Sequence, residues 1–199
     1  MFTFFLKIIK RFTECLSFLI LVAIVTVFFL KTDFQEILLG FQSKDELDSK
    51  EIQAEIVEII DGDTFVVKTY DDVIEKVRLL LIDTPESVHP KEEKQLFSEE
   101  ILEYIESIVQ KGDKITLELG EKERDKYGRL LAYVWVNNIN LNKQLVEKGY
   151  ARVAYVEEPN TKYLEEFIQA ENVAKENKCN IWSIDGYVTD SGFDMSVIN

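Results

Sequence analysis

The chain predicts an α+β domain built on a five-stranded OB-type β-barrel with three helices. Three observations lead there. Three strand-like segments precede the first amphipathic helix and two more follow it. A tight Asp61-Gly62-Asp63 turn joins the first two segments. Two further helical stripes close the C-terminal part. Five strands with a helix after the third fit a small Greek-key barrel.

The first two strands lie within 54–69. Ile56, Ile59 and Ile60 precede the Asp-Gly-Asp turn and Phe65-Val-Val-Lys-Thr69 follows it, which is a hairpin signal. Residues 74–82 form the third strand, ending in the apolar run Leu79-Leu-Leu-Ile82 that a buried strand requires. Thr84-Pro85 stops it. Phe97, Ile101, Leu102, Ile105, Ile108 and Val109 make a helical stripe that ends at Lys111-Gly112. Lys114–Leu119 alternates as a strand, Tyr127-Gly128 turns the chain, and Leu130–Val136 is the fifth strand. A short helix over Leu141–Lys148 is closed by Gly149, and Ala151–Val156 is a short extended piece. The third helix spans Tyr163–Glu176 and should turn Leu164, Phe167, Ile168 and Ala174 inward. Trp182 is expected as a core anchor, and the tail 184–199 as poorly ordered.

The N-terminal part has a different character. Cys15–Leu30 is uncharged and apolar, and with Phe12 and Thr13 it reaches the ~20 residues that cross a bilayer. Lys7, Lys10 and Arg11 precede the run and Lys31 alone follows, so the positive-inside rule puts the N-terminus in the cytoplasm. The division expected is a cytoplasmic stretch 1–11, a transmembrane signal-anchor 12–31, a linker 32–53, the barrel domain 54–183 and the tail. The domain would then be extracytoplasmic, held at the cell membrane by a single pass. Two alternatives stand beside an uncleaved anchor. A cleaved signal peptide would release a secreted protein, although Val27-Phe-Phe-Leu-Lys31 lacks a small-x-small site. A buried core helix would need amphipathic flanks.

The net charge is −14, and it is uneven: residues 1–31 carry +3 and the remaining 168 carry −17. A field of that sign repels polyanions and argues against tight non-specific nucleic-acid binding. Phosphate chemistry would have to rely on a local group of Arg and Lys or on a metal. The two cysteines, Cys15 and Cys179, leave one in the domain, too few for an internal disulfide there.

Asp63 stands just past a tight turn and Asp83 at the end of a buried strand. Charges so close to apolar backbone are costly without a cation or hydrogen bonds. Two carboxylates with backbone carbonyls form a hard oxygen site suited to Ca²⁺. No Cys/His cluster exists, which speaks against zinc, and His89, the only histidine, has no partners for metal or triad chemistry. Taken singly, each residue also has a plain structural explanation. Asp-Gly-Asp is a common hairpin turn. Asp83-Thr84-Pro85-Glu86 reads as a helix N-cap. Arg78 could be a surface arginine, and Arg129 a turn residue.

The constellation is more specific. Ile60-Asp-Gly-Asp-Thr64, Arg78-Leu-Leu-Leu-Ile-Asp-Thr-Pro-Glu86, His89-Pro-Lys91, Asp125-Lys-Tyr-Gly-Arg129 with Leu131-Ala-Tyr133, Val153-Ala-Tyr-Val156, Pro159-Asn160 and Asn180-Ile-Trp-Ser183 occur in this order. In these strings and their spacing, residues 54–183 resemble the staphylococcal nuclease (thermonuclease) family along nearly their whole length. The resemblance implies a calcium-dependent nuclease, a hydrolase acting on the phosphodiester bonds of DNA and RNA, with the OB barrel as its fold. It implies that Asp63 and Asp83 ligate Ca²⁺ through carboxylates and Thr84 through its backbone carbonyl. Glu86 would orient or deprotonate the attacking water, and Arg78 and Arg129 would bind the scissile phosphate. Lys126 and Tyr127 match positions contacting a terminal phosphate, and Tyr155 a nucleotide-facing tyrosine. The expected partners are nucleic-acid substrates and the membrane, with the chain a monomer. Two departures bear on substrate binding: Glu157 replaces a second tyrosine, and Glu92 stands where the family has a lysine.

Overall fold

Alternation decides the barrel strands. In β1 (Glu51–Asp61) Ala54 and Ile56 are buried while Glu51, Gln53 and Glu58 are exposed, the period-2 signature of a strand with one face in a core. The computed structural model describes residues 51–87 and 94–198. The expected membrane segment over 12–31, and the loop bearing His89 and Glu92, lie outside the described residues.

β1 turns at Asp61 into β2 (Thr64–Thr69), which pairs antiparallel with β3 (Ile74–Leu79). β1 also pairs antiparallel with β5 (Lys114–Arg124), and β5 with β6 (Leu130–Val136). A parallel pairing of β3 with β6 joins the two ends of the sheet, so the five strands close into a barrel in the order β3-β2-β1-β5-β6. Closure leaves the inward side chains as the core. Phe65, Val67, Val77, Leu117, Ala132 and Val134 are all fully buried, and each large one contributes about 1.5–3 kcal/mol by leaving water.

β4 (Ile82–Asp83) follows β3 and leads to α1 (Ser98–Ile108), whose Ile101 and Ile105 are fully buried. α1 starts at Phe97, which sits at φ 69 without a side-chain cap, and Glu99 and Glu100 complement the helix dipole in the first turn. After β6 a short β7 (Ile139–Asn140) hands over to α2 (Leu141–Glu147), where Asn140 caps the helix by accepting from the Lys143 amide at 3.0 Å. The fully buried Asn142 stitches the structure: its Oδ1 accepts from Val134 N and its Nδ2 donates to Leu80 O. β8 (Arg152–Val153) pairs antiparallel with β4. α3 (Leu164–Glu176) is the third α-helix among the described residues.

Three local expectations are corrected. β1 begins at Glu51, so 51–53, read as linker, are strand; the acids there hide an alternation that includes Ile52. On α3 the buried stripe is Phe167, Ala170, Glu171 and Ala174, while Ile168 is 37% exposed, because it lies about 100° round the helix from Phe167. Ile181 is the buried anchor after α3, and Trp182 is half-buried beneath Lys175. Beyond these, residues 184–198 hold regular structure where a poorly ordered tail was expected. β9 (Val188–Thr189) and β10 (Gly192–Phe193) form a small hairpin. Tyr187 is fully buried there, its ring packed at a tilt against those of Phe97 and Phe193. Aromatic burial orders a stretch whose composition reads as a loop.

Candidate active site

The barrel's pairing brings distant residues together. The β1–β2 turn is tight because Asp61 Oδ1 accepts from the Asp63 amide at 3.0 Å. Gly62 is needed beneath it: a Cβ there would stand 2.6 Å from Thr84 Oγ1 and 2.7 Å from Ile101 Cγ2. β2–β3 register sets Thr64 opposite Arg78, which delivers the arginine to Asp63, the residue before Thr64. β3–β6 register pairs Val77 with Leu130, so the turn ending at Arg129 is delivered to the same end of the barrel. β4–β8 pairing sets Asp83 opposite Arg152. The chain leaving β8 bonds Ala154 N to Leu81 O, and Tyr155, at φ 53, turns its ring over Arg78 with the guanidinium 5.1 Å from the ring centre.

The result is an open cavity of about 720 Å³. Of the nine residues singled out in the sequence, Asp63, Arg78, Glu86, Lys126, Tyr127, Arg129 and Tyr155 line it. Asp83 and Thr84 back it. Thr84 N donates to Asp63 Oδ2 at 3.3 Å, and Asp83 Oδ1 is 3.8 Å from Arg78 Nη2. All nine therefore belong to one region.

Asp63 is the most constrained group. It is 4% exposed, accepts from Thr64 Oγ1 at 3.0 Å, and pairs with Arg78 Nη1 at 2.9 Å. Burial pushes its carboxyl up to about 8 against the pull of Arg78, with Asp61 and Asp83 adding to the rise. A buried acid crowded by other acids is one a cation stabilises as the anion. Asp63 and Asp83 with the Thr84 carbonyl offer only hard oxygen donors, so the residues fit a hard divalent ion. Among the described residues no group of three His, Cys, Asp or Glu side chains is placed to hold a metal; the donor set needs the backbone.

The arginines are braced differently. Arg129 Nε donates to Asp125 Oδ2 at 2.7 Å, while Asp125 Oδ1 accepts from the amides of Tyr127 and Arg129. This turn fixes the guanidinium of a residue that lines the cavity. Tyr127 lies beneath both Lys126 and Arg129, at 5.0 and 5.6 Å from its ring centre. Its ring is 73% exposed and that of Tyr155 64%, so both present faces for stacking. Glu86 is placed by a reciprocal pair of bonds: its amide donates to Gln95 Oε1 at 2.8 Å, and its carbonyl accepts from Gln95 N at 3.1 Å.

Four contributors had no role assigned from the sequence: Arg152 and Lys122, which no motif marked, and Asp125 and Asn160, which stood in the matching strings without one. Arg152 Nε donates to Asp83 Oδ2 at 2.9 Å from 69 positions away, and no local pattern marks that pairing. Asp125 carries a signal in hindsight, an acid four residues before an arginine across a Gly turn. Lys122 and Asn160 line the cavity, and Asn160 bonds both backbone groups of Lys122, at 2.9 Å each. Glu157 also faces the cavity and lies 3.7 Å from Lys122 Nζ, both side chains being exposed.

A family model described as "Staphylococcal nuclease homologue" matches residues 76–184. The chain is 48% identical over 139 residues to the SPbeta prophage-derived endonuclease YokF of Bacillus subtilis (strain 168), a match covering 69% of this chain and 46% of that protein. It is 46% identical over 139 residues to endonuclease YncB of the same organism, covering 69% and 65%. A thermonuclease of Staphylococcus hyicus is 35% identical over 143 residues, covering 72% and 83%. The chain thus spans about half to two thirds of the two Bacillus relatives' length.

Proposed function

Since this chain belongs to the staphylococcal nuclease homologue family, we propose that it is a calcium-dependent nuclease that hydrolyses phosphodiester bonds of DNA and RNA by attack of water. The observation that carries the reading is that Arg78, Arg129 and Glu86 line one cavity with Asp63.

Each residue has work suited to its surroundings. Attack on a phosphodiester adds negative charge to an already anionic group, so cationic hydrogen-bond donors lower the barrier. Arg78 and Arg129 supply planar guanidinium forks that match phosphate oxygens. Arg78 is 11% exposed, and its charge acts strongly in that dry setting. Arg129, tied through Nε to Asp125, offers its remaining donors at a fixed angle. Asp63, Asp83 and the Thr84 carbonyl would hold Ca²⁺, which when bound supplies charge neutralisation at the phosphate. Arg78, paired with Asp63 at 2.9 Å, would turn donors to the phosphate. Glu86 orients the attacking water or takes its proton; both roles fit a carboxylate held on the cavity wall. Lys126 and Tyr127 engage a terminal phosphate, and the exposed Tyr155 ring meets the nucleotide.

The N-terminal run over 12–31, with Lys7, Lys10 and Arg11 before it, supports an uncleaved single-pass anchor with the domain outside the cytoplasm. Digestion of single- and double-stranded DNA and RNA by the full chain, with Ca²⁺ and with a chelator, tests the activity. We expect chelator-sensitive cleavage that falls by about 10²–10⁴-fold in Glu86→Ala and collapses in Arg78→Ala. Cleavage that ignores the chelator, or survives both substitutions, overturns the reading.

A further inference from the structure

The stretch matched by the family model ends at residue 184, yet the chain continues into an ordered hairpin that touches two supports of the site. The first contact is with Arg152. Its guanidinium stands 6.0 Å from the centre of the Phe193 ring, and its Nη1 donates to Asp190 O at 3.3 Å. The same guanidinium donates through Nε to Asp83 Oδ2 at 2.9 Å. The hairpin thereby closes a relay: β9–β10 turn, Arg152, Asp83.

The second contact is with the chain that enters α1. The fully buried Tyr187 donates from its hydroxyl to Leu96 O at 2.7 Å, and its ring lies 5.9 Å from that of Phe97. Leu96 adjoins Gln95, which holds Glu86 through two hydrogen bonds. The hairpin is itself tied together. Tyr187 and Phe193 rings lie 5.5 Å apart, and Asp194 N donates to Tyr187 O at 2.8 Å. One small unit thus grips the neighbours of both Asp83 and Glu86.

We propose that residues 184–194 are a positioning clamp for the active site, with Phe193 and Asp190 aligning Arg152 on Asp83 and Tyr187 fixing the segment that holds Glu86. The physical case is pre-organisation. Asp83 Oδ2 is taken by Arg152, which leaves Oδ1 turned toward Arg78. A carboxylate already held in one orientation loses less freedom when it binds a cation or orders a water. Arg152 could swing to solvent without the ring beneath it and the carbonyl beside it. The clamp residues act through other groups: none of Tyr187, Asp190 and Phe193 lines the cavity.

The inference rests on the nuclease reading for what the site does, but the clamp can be tested apart from it. Phe193→Ala removes the ring and Tyr187→Phe removes only the hydroxyl bond, and neither changes the charge of the site. In the full chain, hydrogen exchange is followed at the Thr84 and Glu86 amides, with Val134 in the barrel as reference. Loss of one cation–π contact of ordinary strength corresponds to roughly two- to fivefold. We expect exchange at Thr84 to quicken by about that factor in Phe193→Ala, and exchange at Glu86 to quicken by roughly two- to tenfold in Tyr187→Phe, the loss of one ordinary hydrogen bond. The reference amide should be unmoved and Phe193→Tyr should restore Thr84. Calorimetry should show the Ca²⁺ dissociation constant rising by a similar factor in Phe193→Ala. Unchanged exchange at both amides overturns the clamp. So does an equal change in Ile115→Val, a barrel-core variant distant in sequence from the hairpin, because the effect would then be general loosening. If the parent protein binds no Ca²⁺, the cation reading fails while the exchange result still decides the clamp.

Discussion

Asp125 shows how one side chain sets the chemistry of its neighbours. Burial pushes its carboxyl up, but hydrogen bonds from Arg129 Nε and from the amides of Arg129 and Tyr127, with the charge of Arg129, outweigh that and hold it below 3.8. A group whose folded value is depressed stabilises the fold fully above its unfolded value, and that contribution drains as pH falls through the folded one. Asp125→Asn should therefore lower the melting temperature at pH 7. The gap to the parent protein should narrow as pH drops below about 3.8, the value ordinary for the free side chain; melting curves across pH 2.5–7 check it. A constant gap would mean that the hydrogen bonds, rather than the charge, carry the stabilisation. At this scale the sequence was informative about residue types and poor about partners. Asp63, Arg78 and Glu86 stood out through short strings. Arg152 did not, because its partner Asp83 is 69 positions away and the pairing exists only once β4 meets β8.

Among the elements, β5 has a second task beyond closing the barrel. Its Glu118 is 3% exposed and accepts from Trp135 Nε1 at 2.9 Å, Lys162 Nζ at 2.7 Å and Tyr163 OH at 2.9 Å. Nearby, Tyr133 OH donates to Asn160 O at 3.2 Å, and Gly120 leaves room for Asn160, since a Cβ there would stand 2.6 Å from its side chain. These contacts fasten the 157–163 segment to the barrel and so hold Asn160 at the cavity. Glu118→Ala leaves a half-buried indole N–H and a half-buried tyrosine hydroxyl short of an acceptor, which costs about 1 kcal/mol. We expect that loss in chemical denaturation, together with weaker substrate binding through displacement of Asn160. The strands and helices were legible because their faces alternate or repeat at helical spacing. Elements whose order comes from a few distant contacts were not: β1 begins among acids, and the 184–198 stretch is ordered by Tyr187 and Phe193.

The molecule as a whole carries its charge against its proposed task. The −17 of residues 32–199 disfavours a polyanion, so affinity must arise inside the cavity, where Arg78, Arg129, Lys122 and Lys126 converge. A bound cation adds to that positive count and at the same time relieves the buried acids. Ca²⁺ at 100 times its dissociation constant should raise the unfolding free energy by about 2.7 kcal/mol. Titration followed by thermal melting checks this, and Asp63→Ala should abolish the gain; an equal gain in that variant would place the ion elsewhere. The parallel contact of β3 with β6 has one more consequence. Val77 and Leu130 meet across 53 positions of chain, a non-local contact of the slow-forming kind. Arg78 and Arg129 reach one cavity only after it forms, and Tyr155, which lines the same cavity, comes later still in the order of synthesis. A chain emerging from the ribosome therefore has no assembled cavity until nearly all of the domain has been made.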